Sequence, residues 1–169
     1  TLLASSAASD VYKRQGGKWT TYRKMAEDTV DKAIELKLLD KKECVTKNLH
    51  IHGYQIDPDL RNHLYIYGSD IPAIRALMES DPKMAEKIHP KYDYTVAEVV
   101  WAVREEMALQ VEDVLARRVR LLFLDARAAV EAAPKVAEIM AQELGKDKAW
   151  EEEQVKAFTE LSKHYILTV

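Results

Sequence analysis

A mainly α-helical fold is predicted by three features of the 169-residue sequence: few turn-forming residues, apolar residues recurring every three to four positions, and repeated helix-start signals. Five glycines and five prolines are too few for a turn-rich sandwich or barrel. Hydrophobic residues at 47% and charged residues at 31% give the balance of a folded globular chain and exclude a disordered tail or a low-complexity segment. The length suits one main hydrophobic core rather than two.

Residues 1–15 have no helical or alternating period, and Ser5, Ser6, Ser9 and Asp10 mark them as a disordered or non-native leader. From Trp19, the apolar positions Tyr22, Met25, Ala26, Val30, Ala33, Ile34 and Leu38 paint one stripe on a helix that ends near Leu39. Thr46 to Tyr54 alternates at Leu49 and Ile51 and reads as a short extended piece closed by Gly53. Residues 46–56 are therefore expected to form a connector.

The remainder, 57–169, is expected to be all-helical. Its start signals are Asp57-Pro58, Ser69-Asp70 with Pro72, Asp81-Pro82, Thr95 with Glu98 as a capping box, and Asp147. They bound coarse helices over 59–67, 71–80, 83–88, 96–110, 111–124, 126–132, 135–144 and 148–166. Val96 to Ala108 leaves hardly any polar face, which predicts a central helix. Glu98, Arg104, Glu105 and Glu106, with Glu112, Asp113, Arg117, Arg118 and Arg120 on the next segment, would then need one another as partners, which predicts a buried ion network.

Lys plus Arg (25) against Asp plus Glu (28) leaves a net charge of -3, so no global field attracts nucleic acid. The single cysteine, Cys44, cannot form an intramolecular disulfide, which fits a reducing, cytoplasmic location. No apolar run approaches the 18 residues of a membrane span, although peripheral attachment stays open.

Candidate chemistry is concentrated at Gly16-Gly17-Lys18-Trp19-Thr20-Thr21-Tyr22-Arg23. Two glycines before an amphipathic helix allow close approach of a ligand to the backbone, and the unpaired amides of the first turn present a partly positive end. Lys18 adds a full charge, and Thr20 and Thr21 can donate hydroxyls, so the constellation suits an anion or an electron-rich ring edge. An ordinary capped glycine turn explains the same residues equally well. Neither GxxxxGK[ST] nor GxGxxG occurs. His50 and His52 have ligand-like spacing without a third ligand, so no metal is expected; loop packing is the better reading. His63, His89 and His164 are read as surface or capping residues. Arg117, Arg118 and Arg120 could face phosphate, but their interleaving with Leu115, Val119, Leu121 and Leu122 favours structural ion pairing.

Three strings carry a family resemblance: GGKWTTYRKMAEDTVDKA, LHIHGY, and YTVAEVVWAVREEMALQVEDVLARRVRLLFLDARAA. Together they resemble the C-terminal part of FAD-dependent, quinone-linked glycerol-3-phosphate dehydrogenases, over about Gly16 to Leu167. The resemblance implies that residues 16–45 are the C-terminal remnant of an FAD-binding domain, ending in its last helix, and that 57–169 form the family's helical C-terminal cap domain. It further implies that Gly17, Lys18, Trp19 and Thr20 lie against the flavin, with Lys18 also near the substrate. The implied reaction oxidises sn-glycerol 3-phosphate to dihydroxyacetone phosphate and passes electrons to quinone, consistent with peripheral attachment at the inner face of the cell membrane.

Two departures bear on activity. The family's amino-terminal half, with its glycine fingerprint, substrate arginines and catalytic base, is absent from these residues, so the chain alone is expected to be inactive and not to hold FAD. The residues before Gly16 are polar where an apolar strand is expected. The rival reading is a stand-alone helical interaction module without a cofactor.

Overall fold

The computed structural model describes residues 18–166; the leader 1–15, Gly16 and the candidate residue Gly17 lie outside them. The described residues are mainly helical and form no strand, the one β-bridge joining Lys87 to Thr95. They divide into two units, the first ending at Ile51 and the second beginning at His52.

In the first unit a 3₁₀ turn, Trp19–Thr21, leads into helix α1, Tyr22–Glu35. Its apolar stripe has the expected period, yet none of its residues is buried. Lys37 takes a left-handed backbone (φ 58°) just beyond the helix end. Thr46–Asn48 is a 3₁₀ turn, and Leu49 and Ile51 are exposed, so the extended piece anticipated over 46–54 does not form a strand. Alternation needs a pairing edge, and among the described residues none is present.

The second unit has a deep core. Asp57-Pro58 does not start a helix; His63–Asp70 is 3₁₀ structure broken at Gly68. Gly68 sits at φ 53°, and a Cβ there would stand 1.8 Å from the Gly53 carbonyl oxygen, so only glycine fits. Helix α2, Ile71–Ser80, carries Pro72 in its first turn as anticipated. Asp81 accepts from the Lys83 amide and opens a short 3₁₀ turn, Pro82–Ala85. Helix α3, Val96–Glu105, is the expected central helix, with Val96, Ala97, Glu98, Val99, Val100 and Ala102 buried.

Asp113–Arg118 forms a π-helical turn, with the Val119 amide bonded to the Val114 carbonyl at 3.1 Å. Arg120 then adopts a left-handed backbone (φ 59°), and the short helix α4, Leu121–Leu124, follows. Asp125 caps helix α5, Ala126–Leu144, through the Ala128 amide at 3.1 Å. Helix α5 runs straight through Pro134, where two separate helices were expected. A mid-helix proline costs about 3 kcal/mol, an amount that nine buried residues of this helix offset through close packing. Gly145 closes it in the left-handed conformation, and Asp147 caps helix α6, Lys148–Ser162, at the Trp150 amide.

Helices α5 and α6 pack closely along their lengths, joined by a short loop. The main core gathers Val99, Val111, Leu115, Leu121, Leu122, Val136, Met140 and Phe158. A smaller cluster of Leu64, Tyr67, Ile71, Ile74 and Ala97 fills the other side of α3.

Candidate functional site

Lys18 is extended (φ -80°, ψ 145°) and enters the 3₁₀ turn directly. The Thr21 amide and hydroxyl both donate to the Lys18 carbonyl, each at 2.9 Å, so Thr21 serves the turn rather than an incoming group. Neither the 3₁₀ turn nor α1 has a side-chain cap at its start; the Thr21 and Tyr22 amides are taken by the Lys18 and Trp19 carbonyls, and the amino end stays partly positive. Lys18, Trp19 and Thr20 are all exposed, Trp19 by 85% of its surface, and its indole stacks on Tyr22 with ring centroids 5.4 Å apart. An indole so open on the approach to a helix end is a flat apolar surface beside a cationic one.

Arg23 is committed elsewhere. Its guanidinium bonds Glu27 at 2.7 Å and the Thr46 hydroxyl at 3.2 Å. The Arg23 hydrogen bond holds the Glu27 carboxyl below the usual carboxylate range, and the Thr46 hydroxyl lowers the Cys44 thiol. Three contiguous residues, Lys18 to Thr20, therefore form the accessible part of the candidate site, and Thr21 and Arg23 do not join them.

The other sequence candidates resolve differently. Among the described residues no group of three His, Cys, Asp or Glu side chains could hold a metal ion. His52 instead pairs with Asp70 at 2.6 Å. His89 is buried and meets Glu131 at 2.9 Å. His63, expected at the surface, lies 3.2 Å from Glu98, which also accepts from the Tyr67 hydroxyl (3.2 Å), the Thr95 amide (2.7 Å) and the Thr95 hydroxyl (3.1 Å). Glu98 has no exposed surface, so this reach-back arm of the capping box doubles as the centre of a buried polar cluster. The hydrogen bond with Glu98 raises the His63 imidazole, while burial chiefly raises the Tyr67 phenol. Partners 31 and 35 residues away leave no local sequence signal.

The anticipated ion network forms only in part, with Arg118, Glu106 and Asp113 half-buried and Arg117 and Arg104 at the surface. Arg117 pairs with Glu112 (2.6 Å) and Asp113 (3.1 Å) while half its side chain stays exposed. Arg118 donates to the Asp113 carbonyl (3.2 Å) and to the Glu106 carbonyl, and Arg104 grips Glu143 through two bonds of 2.6 and 2.8 Å. The long side chains carry their charges outward past the apolar core. Arg120 makes no side-chain hydrogen bond or ion pair among the described residues, contrary to its expected structural role.

The family described as the C-terminal domain of alpha-glycerophosphate oxidase matches residues 13–151. The chain belongs to this family. Its resemblance to glycerol-3-phosphate dehydrogenases is matched by curated relatives. The probable mitochondrial glycerol-3-phosphate dehydrogenase of Caenorhabditis elegans is 36% identical, covering 89% of this chain and 23% of its own. The Dictyostelium discoideum counterpart is 34% identical over 91% of this chain and 26% of its own. The mitochondrial glycerol-3-phosphate dehydrogenase of Rattus norvegicus is 32% identical, over 85% and 22% respectively. The chain thus spans about a quarter of the length of these relatives. No solved structure matches. In this alpha-glycerophosphate oxidase family domain, no helix among the described residues is long and apolar enough to cross a membrane.

Proposed function

We propose that the chain is the C-terminal portion of an FAD-dependent glycerol-3-phosphate dehydrogenase that oxidises sn-glycerol 3-phosphate to dihydroxyacetone phosphate and passes electrons to quinone. The observation that carries this reading is the family match over 13–151, which takes in the Lys18–Thr20 turn as well as the helical unit up to the start of α6. Residues 16–45 are then the end of the FAD-binding domain, 46–56 the connector and 57–169 the cap.

The residues fit one edge of such a site and no more. The exposed turn offers a lysine, a threonine hydroxyl, an indole face and uncapped amides, a donor set suited to an anionic or electron-rich ring. FAD, when bound, supplies a hydride acceptor. In this proposal Gly17 allows the backbone to approach the ring, Trp19 shields it from water, and Thr20 donates a hydrogen bond. Lys18 and the amino end of α1 stabilise negative charge that develops there, and Lys18 also holds the substrate. The chain alone lacks the opposite wall, so it neither retains FAD nor turns over substrate. Peripheral attachment at the inner face of a membrane, where quinone is available, belongs to the same proposal; the names of the relatives carry the word mitochondrial.

Lys18→Ala in the complete enzyme tests the role. Loss of one charge that acts on the reacting centre lowers kcat/KM by about 100-fold and alters the flavin absorbance spectrum. Unchanged values of both contradict the assignment of Lys18. A purified complete protein with no flavin contradicts the enzyme reading as a whole.

A further inference from the structure

The second unit contains a cleft of about 370 Å³ unrelated to the Lys18 turn. Its walls include His63, Tyr65, Tyr94, Arg120 and Phe123, and no acidic side chain lines it. The hydrogen-bonding groups there are largely unspent. Arg117 and Arg118 are tied to Glu112, Asp113 and Glu106, whereas Arg120 has no such bond among the described residues. The Tyr65 and Tyr94 hydroxyls likewise make no hydrogen bond there, and His63 uses only Nε2, on Glu98. The Glu98 contact favours the protonated imidazole, which leaves a second N–H at Nδ1 to donate.

Backbone geometry adds an independent observation. Arg120 holds φ at 59°, a left-handed conformation that is unfavourable for a residue bearing a Cβ and that glycine would adopt freely. It lies two residues past the π-helical turn Asp113–Arg118, a distortion that recurs at functional sites. A strained arginine with an unpaired guanidinium, standing where glycine would be easier, implies a use for the side chain. The exposed rings of Tyr65 and Phe123 offer a flat apolar surface alongside.

We propose that this cleft binds a small organic phosphate, with Arg120 gripping the phosphate and the aromatic wall covering the organic part. A phosphate is preferred to a carboxylate because its three terminal oxygens match several separate donors: the guanidinium fork, the His63 ring and the tyrosine hydroxyls. The site rests on residues of the helical unit alone and is independent of the flavin reading.

Phenyl phosphate titrated into the 169-residue chain, followed by the ring-proton NMR signals of His63, is the test. The expected result is a saturable shift with Kd of about 1 mM or tighter. Inorganic phosphate should bind at least about tenfold more weakly, because it lacks the apolar part. Arg120→Gly keeps the backbone conformation while removing the guanidinium, so it should fold at least as well as the parent and bind phenyl phosphate at least about tenfold more weakly. A shift that does not saturate, equal affinity for the two phosphates, or an Arg120→Gly variant that binds like the parent overturns the proposal.

Discussion

Helices α1 and α5 carry the same kind of apolar periodicity, yet α1 buries no residue and α5 buries nine. Val30, Leu36, Leu38 and Leu39 in the first unit are half or more exposed, whereas Ala129, Ala133, Val136 and Met140 have no exposed surface. Local pattern is thus enough to specify a helix but does not supply what covers its apolar face. A helix of 14 residues is marginal in water by itself, so α1 depends on packing that the described residues of its own unit do not provide. Helix α5, by contrast, tolerates an internal proline because its neighbours hold it.

The contrast sets an order for substitutions. Glu98→Ala should have the largest effect, about 3 kcal/mol or more, since it strands the Tyr67 hydroxyl and the Thr95 amide in a dry interior; urea unfolding followed by circular dichroism measures it. Gly68→Ala should cost about 3 kcal/mol in the same assay, because the new methyl meets the Gly53 carbonyl. Asp147→Ala, which removes the α6 cap, should cost about 1 kcal/mol. Val30→Ser on α1 should change the unfolding free energy from that transition by less than about 0.5 kcal/mol, as for an exposed position. A large loss from Val30→Ser would break the contrast.

Titration should sharpen it further. His63 has a raised pKa in the folded chain owing to its hydrogen bond with Glu98. Its contribution is therefore complete below the ordinary histidine value near pH 6.5 and is lost as pH rises through the raised folded value. Asp125 behaves oppositely. Lys91, the Ala128 amide and Tyr92 hold its carboxyl well below the usual range, so its contribution is present above about pH 4 and fades as pH falls through the depressed value. Urea midpoints across pH 2 to 9 should decline at both ends, and His63→Gln should flatten the alkaline arm.

Legibility followed the range of the interaction. Thr95 with Glu98, Asp81 with Pro82 and Asp147 signal helix starts through neighbours within three or four residues, and the structure has all three. Pro134 misled because its cost is set against packing by residues distant in sequence. Asp57-Pro58 carried a start signal, but Asp57 takes a left-handed backbone (φ 50°) and helical structure begins only at His63. The Glu98 cluster joins His63 and Tyr67 across 35 and 31 residues, a proximity that no local pattern encodes. At the candidate site, the string around Lys18 was legible as a family signature. Thr21 turns to the Lys18 carbonyl three residues back and Arg23 to Glu27 one helical turn on, both local; only the Thr46 contact of Arg23 depends on a residue that the folded unit brings close.

Amide hydrogen exchange compared between the 169-residue chain and the complete flavin-loaded protein tests the central claim most directly. Protection should be high in α5 and α6 in both, while α1 amides should exchange within seconds in the chain alone and become protected by at least about 100-fold in the complete protein. Equal protection of α1 in the two would contradict its assignment to a cofactor domain continued elsewhere.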